Sequence, residues 1–132
     1  MLGALRYAWA KSRMRSNAKK IARGAEKSGD TRAVQAIANL SVRSHVMSDR
    51  LTGAILLGEL GLPDAVPSIV TLLADDYLEV AIEAARALGK IGDPGALPSL
   101  QVTKDNGSVD IRLRIATTKA MTAILERVRK QL

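Results

Sequence analysis

The chain has 132 residues and a formal net charge of +7, with no cysteine, no phenylalanine and one histidine. That length makes a single domain able to bury roughly two-thirds of its unfolded surface. The composition excludes disulfides, thiol nucleophiles, thiolate metal sites and any His-based metal cluster or catalytic dyad within one chain.

Aromatic residues make up 2% of the chain, so the core has to be Leu, Ile, Val and Ala. Such a core suits closely packed helices, because Ala and Leu head the helix-propensity scale. The absence of cysteine fits a reducing compartment, and the expected location is cytoplasmic. No apolar run approaches the roughly 20 residues of a membrane span.

Residues 1–27 carry Arg6, Lys11, Arg13, Arg15, Lys19, Lys20, Arg23 and Lys27 against Glu26 alone. The whole net charge therefore belongs to this one stretch, and the remainder of the chain is balanced. An Arg-rich, acid-poor start also has the composition of an organellar transit peptide. We read it instead as part of the fold.

No proline interrupts this stretch, and Tyr7, Ala10, Met14, Ala18, Ile21 and Ala25 recur at steps of three and four. That spacing predicts a long amphipathic helix over 1–28 with a narrow core stripe. Arg15, Lys19, Arg23 and Lys27 follow one another at steps of four on the opposite side. Leu2, Leu5 and Trp9 also fall outside the stripe, near Arg6, Arg13 and Lys20.

Ser28-Gly29-Asp30 breaks the chain before a helix over Thr31 to Leu40. Gly29, Ala33, Val34, Ile37 and Leu40 lie 32 positions before Gly61, Ala65, Val66, Ile69 and Leu72. They predict a degenerate first copy, with the later prolines replaced by Thr31 and Gln35. Ser48-Asp49 predicts the N-cap of a helix to about Leu60, closed by Gly61. A second helix is expected over about 65–74, with Pro67 in its first turn.

Asp75-Asp76 is the next break, and Tyr77 to Ile91 repeats the earlier helix. The Gly92-Asp93-Pro94-Gly95 turn leads to a short helix around Leu97 to Thr103. Asn106-Gly107 marks another turn. Val109 to about Arg129 then forms a last helix, with Ile111 placed 31 after Val80, Ala116 after Ala85 and Ala120 after Gly89.

The clearest copies are Gly58-Glu59-Leu60-Gly61-Leu62-Pro63-Asp64-Ala65-Val66-Pro67-Ser68-Ile69 and, 31 positions on, Gly89-Lys90-Ile91-Gly92-Asp93-Pro94-Gly95-Ala96-Leu97-Pro98-Ser99-Leu100. A fixed period in this range marks a solenoid, whose units bury their apolar faces only against neighbours. The chain therefore reads as a single domain over 1–132. It comprises a basic first helix over 1–28, helical repeats over 29–107 and a capping helix over 108–132.

Paired helices carrying this Ala-Leu-Gly-x-Ile-Gly-Asp-Pro-x-Ala-Leu-Pro-x-Leu signature, sharpest at Ala87 to Leu100, resemble the HEAT-like repeats first catalogued in phycobilisome lyases. The resemblance spans about 100 residues counted from the 31-residue spacing. It implies an all-α, right-handed α-solenoid (superhelix) of about four helix pairs that binds proteins, with the second helix of each pair on the concave side.

Some relatives of that kind bind DNA, some attach bilins, and one group hydroxylates a modified lysine at a di-iron site. The iron-binding His-Glu pairs of that group correspond here to Ile82-Glu83 and Leu113-Arg114. The histidines are missing, so the iron site is not supported.

No other candidate chemistry survives. His45 reads as a surface residue. Gly89-Lys90-Ile91-Gly92 lacks the spacing and Lys-Ser/Thr ending of a phosphate loop. Glu79 and Glu83, with Asp75-Asp76, read as a solvated acidic helix start. Arg50 and Arg112, at equivalent repeat positions, read as bridges between units. The expectation is a non-enzymatic scaffold with no catalytic residue, cofactor or metal.

Its predicted contact surface is Leu2, Leu5, Trp9, Arg15, Lys19, Lys20, Arg23 and Lys27, since a plain solvated face would mix Glu among the cations. The expected partner is another protein with an acidic or apolar surface. Nucleic acid, bound without sequence preference, and an anionic membrane are the alternative partners. Self-association through the uncovered terminal helices is a further expectation.

Overall fold

A computed structural model describes the backbone from Leu2 to Leu132 and the side chains from Ala8 onward. The described residues form seven α-helices: α1 Leu2–Ser28, α2 Thr31–Ser41, α3 Met47–Leu60, α4 Val66–Val70, α5 Leu78–Ile91, α6 Leu97–Asp105 and α7 Ile111–Gln131. Helices α1, α3, α5 and α7 stack side by side as one layer. In the second layer α2 packs on α3, α4 on α5 and α6 on α7, each second helix bearing on the first helix of the next unit. This is an all-α solenoid.

Three glycines set the turns inside the units. Gly29, Gly61 and Gly92 adopt φ of 79°, 68° and 75°, a left-handed conformation that costs other residues energy. Each closes a helix: Asp30 N–H donates to Ala25 O, Gly61 N–H to Leu57 O and Gly92 N–H to Leu88 O. Pro63 and Pro94 then each start a 3₁₀ turn that feeds the second helix. Pro67 and Pro98 fall within the first two positions of α4 and α6, where a missing N–H costs nothing.

The second helix of the middle unit is shorter than its sequence pattern suggests. Its α-helical part ends at Val70, and Thr71–Ala74 tighten into a 3₁₀ turn. Thr71 Oγ1 donates back to Ser68 O at 2.8 Å, an i−3 bond suited to that tighter winding.

The core is mainly aliphatic, with Leu57, Ile69, Leu88, Leu100 and Ile124 among its fully buried side chains and Gln35, Glu83 and Thr117 as buried polar residues. Two glycines let the first-layer helices approach closely. A Cβ on Gly58 would lie 2.9 Å from Ala87 Cα, and one on Gly89 would lie 3.0 Å from Ala120 Cα. These matched contacts define the structural registers. Gly58 and Gly89 are 31 apart, whereas Ala87 and Ala120 are 33 apart.

The last repeat is therefore offset by two residues from the 31-residue reading. Leu113, at 5% exposure, takes the place of Val80, whereas Ile111 is 61% exposed. The turn over 106–110 absorbs the extra length before Asp110 caps α7 by accepting from Arg112 N–H.

The first copy also shifts. Gln35, Ala38 and Val42 are buried, each 31 positions before buried Val66, Ile69 and Leu73, while Ile37 and Leu40 are exposed. Without the prolines, Gly29 passes directly into a continuous α-helix whose inward face is displaced by one residue.

Candidate partner-binding surface

The side of α1 that turns inward carries charge. Ala18, Ala22 and Ala25 are buried as a seam of small residues against the stack. Two helical steps towards the N-terminus the seam continues as Arg15 and Lys11, whose side chains are 31% and 13% exposed. Ala10 and Ile21, placed in the core stripe by their spacing, are exposed instead.

The cause lies on α5. Glu83 is 3% exposed, and its Oε1 meets Arg15 Nη2 at 2.5 Å and Lys11 Nζ at 2.9 Å. Lys11 also lies 3.5 Å from Glu79. An unpaired carboxylate at that depth would cost several kcal/mol, so α1 is rotated to bring two cations onto it. Burial pushes the Glu83 carboxyl up, but hydrogen bonds and charge from Lys11 and Arg15 reverse this and hold it below the ordinary carboxylate range. Glu83 is thus not part of a solvated helix start, and Arg15 belongs to the internal contact rather than to the outer basic face.

Lys19, Lys20, Arg23 and Lys27 remain on the outside, all exposed. Among the described residues none of the four enters an ion pair. Lys19 and Arg23 line one wall of a groove of about 380 Å³ whose other wall includes Glu59, Leu60 and Leu62. Trp9 is 64% exposed, with the Arg13 guanidinium 5.3 Å from its ring centroid, an outward cation–π stack. The side chains of Leu2 and Leu5 lie outside the described residues.

The two arginines expected to bridge units differ. Arg50 does bridge: Nε donates to Asp75 Oδ2 at 2.7 Å, Nη2 to Asp75 Oδ1 at 3.1 Å and Nη1 to Ser44 O at 3.0 Å. Asp75 also accepts from Tyr77 N–H. Its own burial pushes its carboxyl up, but these bonds outweigh that and keep it low. Arg112 instead folds back onto Asp110 at the start of its own helix. His45 is exposed.

A second surface escapes a reading of the N-terminus alone. Between α5 and α7 lies an open groove of about 520 Å³, floored by Ile82, Ile115 and small residues and edged by Arg86, Lys90, Arg112 and Lys119. Its cations come from two separate helices, Arg86 and Lys90 from α5 and Arg112 and Lys119 from α7, so no local charge run announces it. Among the described residues there is no cluster of acidic and histidine side chains able to hold a metal ion. No helix of the described residues is long and apolar enough to cross a membrane.

Comparison with curated proteins gives no match. Residues 48–121 match the HEAT repeats family. The match covers α3 to α6 and the first half of α7, including both clear copies of the turn signature and the glycine contacts between them. With more than half of its length so matched, the chain belongs to the HEAT repeats family.

Proposed function

We propose that this protein is a non-enzymatic adaptor that docks an acidic protein surface through the outer face of α1. HEAT repeats are in general protein-interaction scaffolds. The observation that carries the proposal is the division of charge on α1. Lys11 and Arg15 are used on Glu83, while Lys19, Lys20, Arg23 and Lys27 face solvent with no ion pair among the described residues. Within the family, the Gly-Asp-Pro turn at Gly92-Asp93-Pro94 favours the type first catalogued in phycobilisome lyases. The missing histidines argue against that type's di-iron chemistry.

The test compares wild type with a Lys19/Lys20/Arg23→Glu variant in pull-downs, with duplex DNA and with anionic vesicles, each at low and moderate salt. A protein partner retained by wild type and lost by the variant, with weak DNA and vesicle binding, supports the adaptor. Equal binding by the variant in all three assays would sink it. A second reading, attachment to an anionic membrane, is favoured by the outward Trp9. Vesicle binding abolished by Trp9→Ala would select it.

A further inference from the structure

The α5/α7 groove has a counterpart one repeat earlier, and the two differ in charge and in occupancy. Ile55, Gly58 and Glu59 line the α3/α5 groove, and Arg86, Gly89 and Lys90 follow them at 31 positions in the α5/α7 groove. On the other wall, Glu83, Arg86, Ala87 and Lys90 are matched at 33 positions by Ala116, Lys119, Ala120 and Ala123. The two grooves are one structural feature, repeated.

The earlier copy is nearly filled, with about 20 Å³ remaining, and Arg15 of α1 forms part of its lining. Of its two acidic lining residues, Glu83 receives Lys11 and Arg15 of α1 and Glu59 pairs with Lys90, while Glu79, one turn before Glu83 on α5, also meets Lys11. The later copy keeps about 520 Å³ open. There the place of Glu79 is taken by Arg112 and that of Glu83 by Ala116, and no acidic side chain lines the groove.

Some of its edge cations have neighbours. Lys90 pairs with Glu59, Arg86 lies 3.9 Å from the already neutralised Glu83, and Arg112 holds Asp110. Lys119 has no ion pair among the described residues. Ile115 is 49% exposed and half-covers the floor.

The geometry points to the α5/α7 groove as a docking site for an acidic amphipathic helix of a partner protein, whose carboxylates meet the groove's cations as Lys11 and Arg15 of α1 meet the carboxylates at the preceding groove, with the charges inverted. This rests on the scaffold reading above and adds to it a second surface and a partner chemistry. The apolar stripe of such a helix covers Ile82 and Ile115, and its flanking carboxylates face Arg86 and Lys90 on one side and Arg112 and Lys119 on the other. The stretch from Arg112 to Ala123 is about 16 Å long at 1.5 Å per residue, so about three turns of helix fill it. A second copy of this chain cannot supply the helix through α1, because α1 is basic and the groove repels it.

The test uses a fluorescein-labelled synthetic peptide of about 14 residues with Leu and Ala on one helical face and Glu on the other, enough for three turns and short caps. Anisotropy is read at low and moderate salt against the full-length protein. The peptide is expected to bind, and a scrambled peptide of the same composition to bind at least about tenfold more weakly. Ile115→Glu and Lys119→Glu should each weaken binding by about tenfold while melting curves stay unchanged, since both side chains are exposed.

Lys19/Lys20/Arg23→Glu should leave peptide binding intact, which separates failure of this site from failure of the α1 face. Equal binding by the scrambled peptide, wild-type affinity in both groove variants, or displacement by duplex DNA or a peptide of residues 8–28 would each overturn the proposal.

Discussion

Arg127 Nη1 donates to the carbonyl oxygen of Ile91 at 2.6 Å, so α7 caps the C-terminal end of α5 with a side chain from 36 positions away. The same guanidinium fills the space beside Gly92, where any Cβ would collide with it. A cation at this end satisfies an otherwise unpaired carbonyl and opposes the negative end of the helix dipole. Arg127→Ala is expected to lower stability by about 1–2 kcal/mol, as for a lost charge-assisted hydrogen bond. Urea midpoints with an unchanged slope would check this, and an unaltered midpoint would refute it.

Glu83 supplies a pH signature. Because its folded carboxyl titrates below its unfolded value, its contribution is present in full above pH 4.5 and is lost as pH falls towards the folded value. Glu83→Gln should cost about 2 kcal/mol at pH 7, less than a fully buried pair because Arg15 can regain water. The gap between the two proteins should narrow below pH 4.5. A gap independent of pH would show that charge is not the source.

Two helical glycines should respond to alanine in opposite directions. Gly24 has nothing within 4 Å of its Cβ position and is exposed within α1, so Gly24→Ala should stabilise by about 1 kcal/mol. Gly58→Ala has to push α3 from the Ala87 backbone, and the overpacking cost of about 1–3 kcal/mol exceeds the helix-propensity gain. Thermal melts of the pair provide the comparison.

Gln35 is buried, with Oε1 lacking a hydrogen-bond partner, at the position where the next unit has Val66. Gln35→Leu should therefore stabilise the protein by about 1 kcal/mol, by removing an unsatisfied acceptor and restoring the apolar repeat. Denaturant titration reads the change directly, and a loss of stability would indicate that the amide is satisfied in solution.

Arg50→Lys tests geometry with charge held constant. A lysine can reach Asp75 but cannot reproduce the forked contact and the Ser44 bond together, and it should cost about 1–2 kcal/mol. Equal urea midpoints would show that charge alone suffices.

What was legible in the sequence was what a repeat writes locally. Gly29, Gly61 and Gly92 marked helix ends because only glycine meets the turn cheaply, and Pro67 marked a helix start. Less legible was whatever depended on partners distant in the chain. The inward side of α1 is not legible locally, because Lys11 and Arg15 look like surface cations until Glu83, 68 positions beyond Arg15, is placed beneath them. The two-residue offset of α7 is hidden because aliphatic residues occur at both registers, and the burial of Leu113 rather than Ile111 together with the Ala120 contact with Gly89 distinguishes them. The α5/α7 groove needed that corrected offset before its likeness to the α3/α5 groove could be seen.

Stacked repeats ordinarily hold together through adjacent units alone, which lets an end unit fray without disturbing the rest. Here the bonds from Lys11 and Arg15 pass beyond α3 and fasten on α5. Melting the first unit therefore strips the two nearest counter-charges from a carboxylate inside the third. Such a next-nearest-neighbour tie couples the first unit to the third, and the chain is expected to unfold in a single transition.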